Sequence, residues 1–303
     1  MVVAAIVVAM LAIVSAMFLQ VRPLERSESY AVPLEDGVED VRLMVMSSLG
    51  EVEVGFAELG GDAVQITTHV SGTAGLFGND DPMKANISHV IDPVGGGLNV
   101  TALLDVYAPW PYYSLDDVRC EIVIDNRLAA DINITVVTGG ATVRTAEGTT
   151  ITGLSIDSTS LGSVVALNNG TILAGDVRIR TATGGSAFYW NNLTVVGDRT
   201  IKVEESSGEL LAVMSQAREM GGSVIMSEKG RGGPMTLQVD ISGDVSASLT
   251  ASSSLGTVEL NAVEGFRGQD GVLVSDNHPG ASHLDIRMNN TVGRVEAWCH
   301  WSP

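Results

Sequence analysis

Lysine is almost missing: Lys84, Lys202 and Lys229 are the only three in 303 residues. With arginine the basic residues reach 17 against 36 acidic ones, a net charge of −19. A surface of that sign repels nucleic acid and anionic lipid headgroups, and it keeps the chain soluble and non-sticking. Cation binding is a second reading of the same acidity. Aromatics are only 5 % of the chain, while Gly, Ser, Thr and Val abound. That mixture excludes thick helical cores and favours short strands with frequent turns. Cysteine is nearly absent too. A disulfide between Cys120 and Cys299 would close a loop of 178 intervening residues. The sequence leaves pairing open, because it does not give the Cα separation, which must fall below about 7 Å.

Catalytic signatures are also missing. The chain has no Walker loop, no Gly-x-Ser-x-Gly elbow and no His-Glu-x-x-His. Asp116-Asp117 and Glu204-Glu205 are adjacent pairs, and neighbouring side chains on a strand face opposite ways. His278 and His283, with Asp276 and Asp285 nearby, form the most metal-like cluster; Cys299-His300 could add ligands. Pro279-Gly280 makes that stretch a loop without a standard ligand spacing, so an exposed polar loop is the reading taken. Asn79, Asp80 and Asp81 carry oxygens suited to calcium but lack an EF-hand frame, and turn capping accounts for them. No catalytic residue, cofactor site or metal ligand is assigned.

What is present begins with "MVVAAIVVAMLAIVSAMFLQ", twenty residues without a charge. About 20 apolar residues span a bilayer core as a helix. Residues 1–21 are therefore read as a transmembrane anchor, with residues 2–21 in the lipid bilayer. The competing reading is a signal peptide cleaved after Val14-Ser15-Ala16, but the basic n-region is missing and the apolar run is long. Arg22 and Arg26 favour a cytoplasmic C-terminal side. Six Asn-x-Ser/Thr sequons, at Asn86, Asn99, Asn133, Asn169, Asn192 and Asn289, lean toward an extracytoplasmic one, as candidate N-glycosylation sites. Residues 22–38, with Pro23 and Pro33, read as a polar stalk, and 39–303 as one β-domain.

Within that domain "VRLMVMSSLGEVEVGF", "AVQITTHVSG", "GLNVTALLDVYA" and "VRCEIVIDN" alternate apolar and polar residues, as half-buried strands do. "PWPYYSLDD" reads as a loop capping the core. From Asp131 a glycine follows each hydroxyl-rich turn, at Gly140, Gly162, Gly185, Gly208, Gly232 and Gly256; the gaps are 22, 23, 23, 24 and 24 residues. Gly293 follows after 37 residues, across an insertion near "FRGQDGVLVSDNHPG". Each unit is too small to bury a hydrophobic face alone, so units must stack. The expectation is an all-β fold: a β-solenoid with rungs of about 22–24 residues and glycines at its corners. "LLAVMSQAREM" (210–220) has helix formers in a strand position and stays ambiguous.

"VRLMVMSSLGEVEVGF", "DAVQITTHVSG", "CEIVIDNRLAADINITVVTGGATV" and the ladder of hydroxyl–glycine turns resemble the "putative adhesin" family of bacteria and archaea, related to auto-transporter adhesin heads. The resemblance covers about residues 38–298. It implies a surface-exposed, membrane-anchored β-solenoid with no established catalytic residues. Three functions follow. The first is a non-catalytic binding or structural role at the cell surface, toward a surface glycan or an envelope protein. The second is a carbohydrate-active β-helix enzyme. Asp157 and Asp176 do not align as its acids, but Phe188, Tyr189 and Trp190 would offer a sugar-stacking platform. The third is a filament or pilin-like subunit assembled through the N-terminal helix, against which the absence of a basic leader argues. An oligomer and a docking tail at "AWCHWSP" stay open.

Overall fold

The computed structural model describes residues 10, 21–75, 82–92, 96–108, 113–269, 271–280 and 282–303. Among these, no helix is long and apolar enough to cross a membrane. The expected anchor, 1–21, lies outside the described residues apart from Met10 and Val21.

The chain opens with β1 (Arg22–Pro33), β2 (Asp40–Leu49), β3 (Glu51–Ala57), β4 (Asp62–Ala74), β5 (Met83–Ile91), β6 (Leu98–Val106) and β7 (Tyr113–Asp125). A regular run follows: β8 (Ala129–Thr138), β9 (Ala141–Arg144), β10 (Thr150–Ser158), β11 (Ser163–Leu167), β12 (Ile172–Leu173), β13 (Val177–Thr181), β14 (Ser186–Asn191), β15 (Thr194–Val195), β16 (Arg199–Glu205), β17 (Leu210–Gln216), β18 (Val224–Gly230) and β19 (Met235–Ser242). The chain ends with β20 (Val245–Leu255), β21 (Val258–Glu264), β22 (Phe266–Gln269), β23 (Val272–Ser275), β24 (Ser282–Val292) and β25 (Val295–Ser302).

These strands form two sheets. Sheet A runs β1-β4-β7-β3-β9-β11-β14-β17-β19-β25-β21. Sheet B runs β22-β23-β20-β24-β18-β16-β13-β10-β8-β2-β6-β5, with β12 and β15 as a short side ladder. From β8 to β19, leaving that side ladder aside, the chain visits the sheets alternately. Each strand pairs in parallel with the one a turn later: Leu154, Val177, Ile201 and Met226 are in register in sheet B, and Ser163, Ser186, Leu210 and Met235 in sheet A. One turn of chain thus supplies one strand to each sheet, which is the physical content of the glycine spacing. Alternation places the core between the sheets: Val177 and Ile179 are buried, Arg178 and Arg180 exposed.

Spatial order departs from chain order at both ends. Strands β2 and β3 stack directly on β8 and β9, while β6 and β7 lie outside them. At the other end β24 and β25 insert between β18/β19 and β20/β21. The repeat ending at Gly293 therefore sits between those of Gly232 and Gly256. Antiparallel β4, β1 and β5 close one end; β23 and β22 cover sheet B at the other.

Register also relocates the corner. The residues three past the inward position that closes each sheet B strand are Gly50, Gly139, Leu161, Gly184, Gly208, Gly233, Gly293 and Gly256. Gly140, Gly185 and Gly232 are one residue off this column, and Gly162 follows Leu161 within it. The column is tight: a Cβ on Gly233 would strike the Gly208 carbonyl, and one on Gly293 the Gly233 carbonyl. Inside it runs a buried polar column that includes Ser158, Thr181, Glu205 and Asn290. Ser158 Oγ donates to Gly139 O at 3.0 Å, Asn290 Nδ2 to Gly233 O at 2.9 Å and Ser253 Oγ to Gly293 O at 3.0 Å. The recurring Ser/Thr-then-Gly phrase is this corner: an inward polar side chain at most levels and, three residues on, a crowded backbone that is glycine at every level but Leu161.

One expectation changes, and three readings that the sequence left open are decided. Residues 22–33 of the expected stalk are β1, paired with β4 along its length. The helix formers at 210–216 are strand β17, because alternate burial of Leu210, Ala212 and Met214 overrides propensity. Cys120 and Cys299 are free, buried thiols. They lie in β7 and β25, seven strand positions apart in sheet A, roughly 34 Å at about 4.8 Å per strand, so they do not pair. Burial pushes both thiols up to about 12, which keeps them unreactive. Finally, Phe188 and Trp190 are core residues, 0 % and 1 % exposed, and only Tyr189 faces out. Trp190 Nε1 donates to Gln216 Oε1 at 2.7 Å, so the trio forms no stacking platform.

Candidate functional site

The histidine cluster is assembled, but as a clasp. His278 and His283 bring their ring centroids to 4.6 Å. His283 Nδ1 lies 2.9 Å from the buried Ser246 Oγ and Nε2 lies 3.3 Å from Ser248 Oγ, which ties β24 to β20. Burial, then the neighbouring His278, lowers the His283 pKa, against the pull of Asp285. The two carboxylates are taken by arginines, Asp285 by Arg287 and Asp276 by Arg267. Among the described residues no group of three His, Cys, Asp or Glu is set to hold a metal. Asn79, Asp80 and Asp81 lie outside the described residues.

The carboxylates considered for acid–base work are dispersed. Asp157 lies 3.8 Å from Arg180, and Asp176 Oδ1 accepts the Thr200 amide at 2.9 Å. Glu204 faces out while Glu205 turns into the corner column, where Ser186 Oγ donates to it at 2.8 Å. Burial raises the Glu205 pKa, and the hydrogen bonds oppose the shift. Asp125, at the end of β7, is gripped by Arg127 at 2.7 Å, and that hydrogen bond brings its pKa down to about 2. This contact shapes the turn into β8. Of the sequons, Asn86, Asn133, Asn169 and Asn289 are exposed, and Asn99 and Asn192 half-buried.

Two grooves open where the stack ends. One of about 460 Å³ lies between β1 and β5, lined by Glu28, Tyr30, Thr68, Ala85 and Ile87. The other, about 480 Å³, lies between β21 and the β20/β23 side, lined by Ala251, Val258, Leu260, Val272 and Leu273. Sheet A stops at β21, whose outer edge has no strand partner among the described residues.

The outer face of sheet B carries a feature the sequence reading missed. Register aligns Ser155, Arg178, Lys202, Ser227, Arg287 and Thr250 in one row across six strands. The next row is Asp157, Arg180, Glu204, Lys229, Asn289 and Ser252, in which charge alternates. The first row holds three cations and no carboxylate. Arg178 and Lys202 are in-register neighbours, both exposed, and among the described residues neither forms an ion pair. The signal was legible in "DVRIR", "IKVE", "MSEK" and "IRMN". From Arg178 onward each row residue precedes its corner glycine by six, but the glycines first chosen drift by a residue either way and hide it.

No family model and no curated protein matches the sequence. Solved structures do. A "putative cell adhesion protein" from Clostridium sporogenes is 10 % identical, with a TM-score of 0.43 over 91 % of this chain and 100 % of that one. A "putative adhesin" from Bacteroides fragilis is 10 % identical at a TM-score of 0.29, over 90 % and 96 % of the two chains. Another from Parabacteroides merdae is 9 % identical at 0.32, with the same coverage. Each is similar along nearly the whole length and superposes loosely.

Proposed function

We propose that this chain is a membrane-anchored β-solenoid on the outer surface of the cell, acting as a non-catalytic binding or structural module of the envelope. The carrying observation is the stack itself. Nine positions in each sheet continue the ladder in parallel, and their outward side chains form long, flat, in-register rows. Such a surface suits an extended partner, a surface glycan or an envelope protein, better than a small substrate, which needs an enclosing pocket. The charge-free run at 2–21 supplies the bilayer anchor. Nucleic acid is not among the partners, given the net charge of −19.

The test is protease protection on intact cells with a tag after Pro303. Digestion of the tag from outside is expected. A protected tag would place the β-domain in the cytoplasm and end this reading.

A second reading, assembly through the stack ends, draws on the open edge of β21. Its half-buried Val258 and Leu260 face the 480 Å³ groove, and Val263 is 65 % exposed. Unpaired edges recruit further strands. If β21 mediates assembly, light scattering will show oligomers that Val263→Lys, a charge on the exposed edge strand, abolishes.

A further inference from the structure

We propose that the outer face of sheet B, centred on Arg178 and Lys202, is a binding site for an acidic polysaccharide bearing one carboxylate on each sugar or on alternate sugars. The choice of a glycan among polyanions rests on the envelope location proposed above; the site itself rests on the geometry of the row.

The concentration of cations is the first argument. Two of the three lysines in the chain, Lys202 and Lys229, lie on this face beside Arg178, Arg180 and Arg287. The molecule as a whole carries −19. Arg180 is engaged by Asp157 and Arg287 by Asp285, and Lys229 lies in register with Glu204. Arg178 and Lys202 have no carboxylate in their own row and form no ion pair among the described residues; the nearest acids on this face, Asp176 and Glu204, lie two residues along the chain. Asp176, just before β13, turns its Oδ1 to the Thr200 amide. Like charges directly opposite on paired strands destabilise a sheet. This pair is an unbalanced feature of the folded chain that a bound anion would balance.

The second argument is shape. The row lies on an open sheet face, with donors spaced at about 4.8 Å from strand to strand. That step is close to the length of one sugar in an extended chain. Arg178 and Lys202 are adjacent, the hydroxyl of Ser227 separates them from Arg287, and Ser155 and Thr250 flank the row. Arginine grips a carboxylate through two N–H groups, lysine as a point charge, and hydroxyls meet sugar hydroxyls. Ile225, 44 % exposed and two residues before Ser227, offers a sugar ring an apolar contact. Single-stranded DNA offers phosphates at a spacing set by its own backbone in place of ring carboxylates and sugar hydroxyls, so it does not match the row's alternation of cations and hydroxyls.

The experiment uses the full chain in detergent, with polygalacturonate as the uronate polymer and its fully methyl-esterified form as the neutral control. Binding to polygalacturonate at low salt is expected, with none to the ester. The double variant Arg178→Gln/Lys202→Gln should bind roughly tenfold more weakly or worse, and Lys84→Gln, on β5, as wild type. Thermal stability of the double variant should be unchanged or raised, because a like-charge contact is removed. The single variant Lys202→Gln covers the case in which the double variant does not fold. Failure of wild type to bind polygalacturonate overturns the proposal. So does undiminished binding by a folded variant, equal binding of the ester, or equally tight binding of single-stranded DNA or phosphatidylglycerol vesicles. Protease protection decides the surface location independently, so the two readings can fail separately.

Discussion

Leu161 is the one non-glycine with positive φ in the corner column, at 70°, and it is 73 % exposed. A branched side chain held in the left-handed region costs on the order of 1 kcal/mol, and little burial offsets that here. Leu161→Gly is therefore expected to raise stability by about 1 kcal/mol, read as a higher denaturant midpoint at constant slope. Gly233→Ala goes the other way. Its φ is 115° and its Cβ would meet the Gly208 carbonyl, so a loss of about 3 kcal/mol is expected. Glu228 is a second outlier. It is 0 % exposed, neither carboxylate oxygen has a partner, and its in-register neighbours are Val203 and Met288. Burial lifts its pKa from 4.5 to about 8. The native state thus keeps a proton that the unfolded chain has released. Stability from this group is full below pH 4.5 and is lost as pH rises to about 8, by a limit on the order of 5 kcal/mol. Melts at pH 5 and pH 8.5 should show that fall in wild type and much less of it in Glu228→Met. The sequence did not announce either residue. Leu161-Gly162 looks like Leu49-Gly50 and Leu255-Gly256, yet in those the glycine takes the column. Glu228 sits in "MSEKG", which reads as a polar turn until register turns it inward.

At the scale of elements, strand identity was legible because alternation was strict. Val41, Leu43 and Val45 are buried against exposed Arg42, Met44 and Met46, as period two requires. Strand order was not legible. Parallel pairing is set by which apolar rows meet, and the rows are nearly interchangeable, so spacing alone counted the Gly256 repeat as the neighbour of Gly232. The observed order has a consequence. Among the described residues, strand β21 pairs only with β25, and β20 only with β24 and β23. Deleting 281–303 should therefore cut residues 245–275 off from the stack, leaving them only the short β20–β23–β22 antiparallel pairing, while β8 to β17 keep both neighbours and β18 and β19 keep one. Hydrogen exchange is expected to show lost protection across 245–275, reduced protection across 224–242 and near-native protection across 129–216, since stacked repeats are held by nearest neighbours. Uniform loss along the chain would mean that the stack folds as one cooperative unit. The basic row on sheet B was hidden for the same reason. Arg178, Lys202 and Arg287 are far apart in sequence, and only register reveals them as neighbours.

For the whole molecule, charge acts in two opposite ways. The net charge of −19 is spread over acidic loops and strand faces, so the folded state repels itself. Exposed ion pairs such as Arg42–Asp131 at 3.2 Å and Arg294–Glu259 at 2.6 Å offset little of this, since pairs in solvent contribute at most about 1 kcal/mol. Raising ionic strength from 10 mM toward 0.5 M shortens the screening length from about 30 Å to a few ångströms. It should therefore raise the melting temperature. The basic row responds in reverse. Its attraction for a polyuronate is screened by the same ions, and condensed counterions make release less favourable as salt rises. One titration, followed by both melting temperature and glycan affinity, should thus show stability increasing while affinity falls. A chain whose affinity and stability rose together with salt would be binding through apolar contact. The site would then lie in the end grooves, beside Val258 and Leu260 or Tyr30 and Ile87, and not on the face of sheet B.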